Sequence, residues 1–366
     1  MIGLLEIRRR KLQFSLIALI VTLISYLILM VTGLGLGLHE LAGSALRNWD
    51  ADAIAYSDIA GLSVIRSELG DETVEAISAL PEVEEAASLG YVAVNYIDAD
   101  GDVDSAAFLG FDPGTIGEPE VISGRALTPD DTNAVLADKR FLEASGLKVG
   151  DRVQVSVRLA QREFEIVGEI DQGAFFFQPT VYLLRSTWQE LRYGGVDQPP
   201  AASVVLLKGD GLPGTRGPGF EIVNKDTAFR NIEGVAGQDS TVQSLRAAAF
   251  LIGALVIGVF FYVLTLQKVP HIGVLKAIGA TNAFVFRQIV IQVLALAITG
   301  IVIAIPAAWL TERALEQLPD SLPIAFTTGT YVTTAAGLIF TALIGALFSG
   351  RQVLKTDPII ALGQQQ

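Results

Sequence analysis

The chain has 366 residues, of which 51% are hydrophobic and only 18% charged, and its 26 Lys+Arg against 39 Asp+Glu give a formal net charge of −13. Soluble domains carry about a quarter charged residues and nucleic-acid binders need a basic footprint, so neither simple class fits. Cysteine is absent, which removes disulfides, thiolate metal sites, cysteine nucleophiles and cysteine lipidation.

Residues 1–11 are a basic head ending in Arg8, Arg9, Arg10 and Lys11. Residues 12–38 follow as a 27-residue run without a charge. A bilayer core takes about 20 apolar residues in helical form, so the run predicts a first transmembrane helix. It is longer than the roughly 7–15-residue core of a signal peptide, which favours a retained anchor. The cleaved alternative would use the small residues Ala42, Gly43, Ser44 and Ala45. Gly33 and Gly37 close the run on one G-x-x-x-G face. They either let another helix approach closely or loosen the helix as it enters the next domain.

Residues 39–246 hold 16 Lys+Arg and 34 Asp+Glu and read as a mixed α/β domain. Val74, Ile77 and Leu80 mark a helix over 71–80 that Pro81 ends. Strand composition marks 91–97 and 179–184, and Val153, Val155 and Val157 alternate on a strand period. Residues 163–169 read as their hairpin or sheet neighbour. Asp98, Asp100, Asp102 and Asp104 surround Gly101 and invite a calcium reading. A calcium loop wants Gly at its sixth and Glu at its twelfth position; counted from Asp98, Leu109 occupies the twelfth. An Asp-Gly turn between two strands is the better reading. Residues 173–179 contain Phe175, Phe176 and Phe177, an aromatic patch for the core, a second protomer or an apolar cargo. The Gly/Pro-rich residues 209–219 read as a flexible loop.

Three more uncharged stretches follow: 247–267, 288–311 with Pro306 inside, and 321–350, whose apolar part starts at Tyr331. They predict transmembrane helices at 247–267, 288–311 and 331–350. No charge lies inside them, which disfavours an ion-driven path within one chain. Positive residues near the spans stay cytoplasmic. Arg8 to Lys11, then Lys268, Lys276 and Arg287, then Arg351 and Lys355 all fall on one side. The head, the loop 268–287 and the tail 351–366 are therefore expected inside, with 39–246 and 312–330 outside.

No catalytic set stands out. The only histidines, His39 and His271, fall on opposite sides of the membrane. Serine-hydrolase, zinc-protease and P-loop signatures are absent. No catalytic, cofactor or metal residue is assigned, and the chain is not expected to be an enzyme.

The loop 268–287 is the most informative segment. Pro270 can start a short helix, Ile272, Leu275 and Ile278 recur every third residue, and Gly279 can end it. The result is an amphipathic helix on the cytoplasmic face. It either lies on the membrane surface or docks into a soluble partner and transmits force.

Here the sequence resembles the FtsX/MacB-like permease family of ABC transporters. The resemblance rests on His271, Ile272, Gly273, Leu275, Lys276, Ala277, Ile278, Gly279 and Ala280, just after Pro270. It extends to a tail motif, Arg351, Lys355, Asp357 and Pro358, and to the one-plus-three order of spans around a large outer domain. The family often has Glu where this chain has His271. The resemblance implies a stand-alone permease in a bacterial inner membrane, with a second copy or a sister permease. It also implies two copies of a separate ATPase, where ATP and Mg would bind. The 270–282 helix would couple the ATPase to the outer domain by mechanotransmission, for export or envelope remodelling. A periplasmic adaptor or envelope protein is a further partner in such systems; nucleic acid is not. Family members often split the outer domain into a porter-like part, here 39–135 with 185–246, and a β-rich part, here 136–184. The alternative from a different class is a membrane-anchored sensor or scaffold that works without ATP.

Overall fold

In the computed structural model the described residues are 11–157, 160–267, 273, 274, 276, 278–315 and 322–355. The chain forms two units, Leu38–Gln238 and Met1–Gly37 with Asp239–Gln366.

Helix α1 (Lys11–Asn48) has one internal residue off helical geometry, Gly43. The outer unit then runs β1 (Ala53–Tyr56), α2 (Asp71–Ser78), β2 (Glu85–Ile97), β3 (Val103–Phe111), β4 (Val121–Gly124) and β5 (Ala134–Asp138). It continues through α3 (Lys139–Ser145), β6 (Arg152–Val157), β7 (Ala160–Ile170), β8 (Ala174–Phe175) and β9 (Gln178–Leu184). It closes with α4 (Arg185–Tyr193), β10 (Val204–Lys208), β11 (Arg216–Gly217), β12 (Phe220–Asn224) and α5 (Lys225–Arg230).

The strands join in the order β11-β12-β1-β10-β2-β3-β9-β5-β7-β4, with β6 on β2 and β7 and β8 on β9. Pairing is antiparallel except β3 with β9 and β5 with β7. The long β2 links two halves. Its start pairs β10, with Leu89 opposite Val204, and its end pairs β6, with Asn95 opposite Ser156. Parallel pairing of β3 with β9 joins residues of the 39–135 and 136–184 segments in one sheet.

Strand chemistry follows burial. In β6 the valines Val153 and Val155 are buried and the residues between them exposed, as a half-buried strand requires. By contrast β5 is buried at every position and β10 at all but its last, so their apolar runs do not alternate. The β2–β3 turn is closed by Asp98, whose Oδ1 accepts the amides of Asp100 and Asp102 at 3.0 and 2.8 Å. Helix α2 stops at Ser78, short of the expected Leu80, and buries only Ile77.

Residues 209–219, read as a loop, are turns and bends apart from β11, and lead through it into β12. Leu212 is fully buried, Gly214 N donates to Ile222 O at 2.8 Å, and Ile222 N donates to Thr215 O at 2.9 Å. Local glycine and proline content hid that pairing.

The second unit holds the membrane part of α1 with α6 (Val235–Gln267), α7 (Asn282–Leu315) and α8 (Thr328–Lys355). Among the described residues, four helices are long and apolar enough to cross a membrane. The protein is thus a multi-pass membrane protein with a large non-membrane domain. Along α1, Leu12, Leu16, Leu19, Leu23 and Leu27 form an exposed stripe, while Phe14, Ile17, Val21, Ile28 and Leu29 are buried against the other helices. A leucine stripe facing lipid costs nothing, and helices associate through close packing of small residues. Gly300 of α7 supplies such a contact: a Cβ there would press on Val21 and the Thr22 amide. All four helices overrun their uncharged runs. Helix α6 starts at Val235 and passes through Gln238, Asp239 and Ser240 before reaching the run at 247. Helix α7 continues through Pro306.

Candidate functional site

The candidate coupling segment lies between α6 and α7. Its backbone is helical at Gly273, Val274 and Lys276. The amide of Ile278 donates to Val274 O at 3.1 Å and that of Gly279 to Lys276 O at 3.0 Å. Gly279 has φ of +102°, the left-handed conformation in which glycine ends a helix. One residue beyond Ala280, Thr281 caps α7: its Oγ1 accepts the Phe284 amide at 3.2 Å, as an N-cap hydroxyl does. The step from Gly279 to the start of α7 is therefore short and fixed at both ends.

The side chains divide unevenly. Gly273 is buried and Lys276 half-buried. Val274 is 48% exposed and Ile278 77% exposed. Four residues apart on a helix, these two share a face and present bare apolar surface beside a cation. Val274 and Thr281 were missed by the motif-based reading; the i, i+4 spacing to Ile278 and the Thr-Asn helix start were the signals available. Pro270, His271, Ile272, Leu275 and Ala277 lie outside the described residues. In the tail, Arg351 and Lys355 belong to the end of α8, and Asp357 and Pro358 lie outside the described residues.

Gly33 and Gly37 meet an extended segment of the same unit, residues 322–327. A Cβ on Gly33 would overlap the Phe326 ring, and one on Gly37 would overlap the Pro323 carbonyl. The Ala325 amide donates to Gly33 O at 3.1 Å. The segment is held from its other side by Glu312, whose Oε1 accepts the Phe326 amide at 3.0 Å. The Phe326 ring stacks on Tyr331 with centroids 5.2 Å apart. The Tyr26 and Thr311 hydroxyls, 285 residues apart in sequence, meet at 2.9 Å and join α1 to α7.

In the outer unit, among the described residues, no group of three or more His, Asp or Glu side chains is placed to hold a metal. His39 packs edge-on to Phe229 at 5.5 Å. Of the aromatic patch, Phe175 is core, Phe176 is half-buried and Phe177 is 40% exposed.

Comparison with known proteins adds the following. The family model described as FtsX-like permease C-terminal matches residues 245–358. A Staphylococcus haemolyticus protein provisionally named hemin transport system permease protein HrtB is 24% identical over 358 residues, covering 98% of this chain and 97% of the relative. An uncharacterized ABC transporter permease of Mycobacterium tuberculosis is 24% identical over 361 residues, covering 97% and 96%. Among solved structures, the periplasmic region of MacB from Actinobacillus actinomycetemcomitans is 17% identical. It aligns over 51% of this chain and 94% of that chain, with a TM-score of 0.35. The extracellular domain of the Gram-positive transporter YknZ is 13% identical, over 48% and 100%, with a TM-score of 0.34.

Proposed function

We propose, because the chain belongs to the FtsX-like permease family, that it is the membrane subunit of an ABC transporter driven by a separate ATPase. The observation that carries this is the family match over residues 245–358, which spans most of α6, all of α7 and α8, and the coupling turn between α6 and α7. Permeases of this family are non-catalytic subunits. ATP and its Mg would bind to the partner, two copies of which would serve a pair of permeases. Orientation by the basic residues near the spans puts the coupling turn on the cytoplasmic side, where an ATPase is available, and the α/β domain outside.

The proposed coupling face is the turn 270–280. Burying a side chain of the size of Ile278 on a partner contributes about 1.5–3 kcal/mol. Exposed Val274 and Ile278 supply that apolar contact and Lys276 a cation beside it. Movement of the ATPase subunits would push this turn. The helices would carry the push to the outer domain, so that work is done there by mechanotransmission and cargo need not cross between the helices. The absence of charge from the four apolar runs supports this. The near-full-length alignment with the Staphylococcus relative brings hemin forward as one cargo class for this chain. Hemin-dependent stimulation of the ATPase in the reconstituted complex tests it, and a flat response to hemin removes it.

Leu275→Asp and Ile278→Asp test the coupling face. Both should insert normally, lose the partner ATPase in detergent pull-downs and abolish its stimulation by the permease. Unchanged partner binding and unchanged stimulation in both would contradict the role.

A further inference from the structure

Gly43 breaks the helical geometry of α1, with φ −173° and ψ 39°. In an unbroken helix the carbonyls of Leu41 and Ala42 would accept from the amides four residues on. Here they are taken by another part of the outer unit. Phe177 N donates to Leu41 O at 2.9 Å and Phe176 N to Ala42 O at 3.0 Å. One residue past the break, Ser44 Oγ accepts the Ala174 amide at 2.9 Å. Asn48 Nδ2 reaches Gln172 O at 2.9 Å. The turn 172–177 thus grips α1 on both sides of Gly43.

The turn is itself pinned. The Asp138 side chain is fully buried. Its Oδ2 accepts the amides of Gln172 and Gly173 at 2.6 and 2.7 Å, while its Oδ1 caps α3 through the Arg140 amide at 2.9 Å. Gly173 has φ of +93°, and a Cβ there would overlap the Ser44 hydroxyl. Thr180 Oγ1 donates to Gly173 O at 2.7 Å.

The grip is strained where it touches α1. Phe176 and Phe177 both sit in the left-handed region, at φ 51° and 62°. Bulky aromatic residues avoid that region, and holding them there costs free energy that surrounding contacts must offset. The contacts are the two amide bonds to α1 and ring packing of Phe176 on Phe175 and Tyr91, at 4.6 and 5.3 Å.

We propose that Gly43 is a hinge in α1 and that the turn 172–177, pinned by Asp138, is the latch that holds the hinge bent. Two arrangements satisfy the same carbonyls. Bent, Leu41 O and Ala42 O are held by Phe177 and Phe176. Straight, they return to the helix and the strain at the two phenylalanines is released. Such a pair of discrete states is the element that ATP-driven motion needs in order to reach the outer domain. Asp138 acts through the turn and is a positioning residue. That the latch opens in each cycle rests on the ATP-driven reading above; that it exists does not.

Hydrogen exchange on the full chain in nanodiscs tests both statements. Without nucleotide, Asp138→Asn cannot accept on both sides, and exchange of the Phe176 and Phe177 amides should rise. Phe177→Asn keeps the amide but tolerates the left-handed conformation, so the same exchange should fall. Shifts of opposite sign support the latch; no shift, or equal shifts, overturn it. If Asp138→Asn fails to fold, the slowing in Phe177→Asn alone decides. With the partner ATPase and trapped ATP, exchange at 172–177 should change in the wild type and change less in Phe177→Asn. Asp138→Asn should also change less there, whereas a merely structural Asp138 would move the melting temperature and leave this nucleotide dependence as in the wild type. A nucleotide response elsewhere in Leu38–Gln238 but none at 172–177 overturns the latch's part in the cycle. No response anywhere in that unit overturns the ATP-driven reading, and the latch's task with it.

Discussion

Gly33 and Gly37 sit where α1 keeps its helical geometry, and Gly43 where it loses it. At the first pair, glycine supplies room: the chain at 323–326 lies so close that any Cβ would strike a ring or a carbonyl. At Gly43 the neighbours are the flexible ends of Ile232 and the ring of Phe229. The φ of Gly43 is an extended value open to any residue. The break there goes with hydrogen bonds from outside the helix. One helix thus contains a stretch fixed by backbone packing and, a turn and a half later, a stretch whose shape depends on a detachable contact. A closely packed stretch and the stretch proposed to bend are built from the same residue type by different neighbours.

The largest effect expected is at Gly37. Gly37→Leu drives a side chain into the Pro323 backbone, which cannot yield as a side chain can, and should cost about 3 kcal/mol. Thermal unfolding in detergent reads it, and an unchanged melting temperature would show that 322–327 is not packed there. Gly43→Ala should differ sharply. Its overlap is with side-chain atoms able to shift, and alanine gains about 1 kcal/mol of helix propensity over glycine. Stability should stay within about 1 kcal/mol of wild type, while exchange at Phe176 and Phe177 rises as α1 straightens. A large loss of stability with no change in exchange would erase the contrast between the two stretches.

The smallest effects come from pH, and two carboxylates of the outer unit should respond with opposite sign. Burial pushes the Asp138 carboxyl above its ordinary value in spite of its three amide donors. Its net contribution to stability is therefore greatest in acid and declines as pH rises through the raised pKa. Asp131 is held well below the carboxylate range, first by the Arg125 guanidinium at 2.7 Å and then by Thr128. Its contribution is complete above the ordinary carboxylate pKa of about 4 and is lost as pH falls. Arg125→Ala should flatten the acid limb of the melting profile, by a small amount because the pair is solvated. Asp138→Asn should leave that limb in place. If Arg125→Ala melts in acid with the wild-type slope, the pair contributes nothing.

Long-range pairing accounts for what the sequence could not reveal. Four uncharged runs announced the membrane helices, because lipid demands apolar length. The alternation of Val153 and Val155 announced β6, because one face is buried. Strands β5 and β10 went unread: a short run such as Val204 to Leu207 has no period to betray it, being buried on both faces. Helix α4 went unread because it buries only Thr187, Trp188 and Leu191 of its nine residues. At the proposed coupling turn, Gly279 was legible as a helix end because its conformation is local, whereas the exposure of Val274 and Ile278 is set by the surrounding fold. The latch could not be read at all. Phe175 to Phe177 announced an aromatic patch, but left-handed phenylalanines run against local preference and are imposed by α1 and by Asp138, 34 and 35 residues before Gln172 and Gly173.

The most direct measurement is purification of the native complex in mild detergent, with and without cross-linking in cells, and mass-spectrometric identification of what accompanies the chain. A stoichiometric ABC ATPase is the predicted result, and its loss from the Ile278→Asp preparation would locate the contact. A clean preparation with no ATPase, even after cross-linking, would contradict the permease reading.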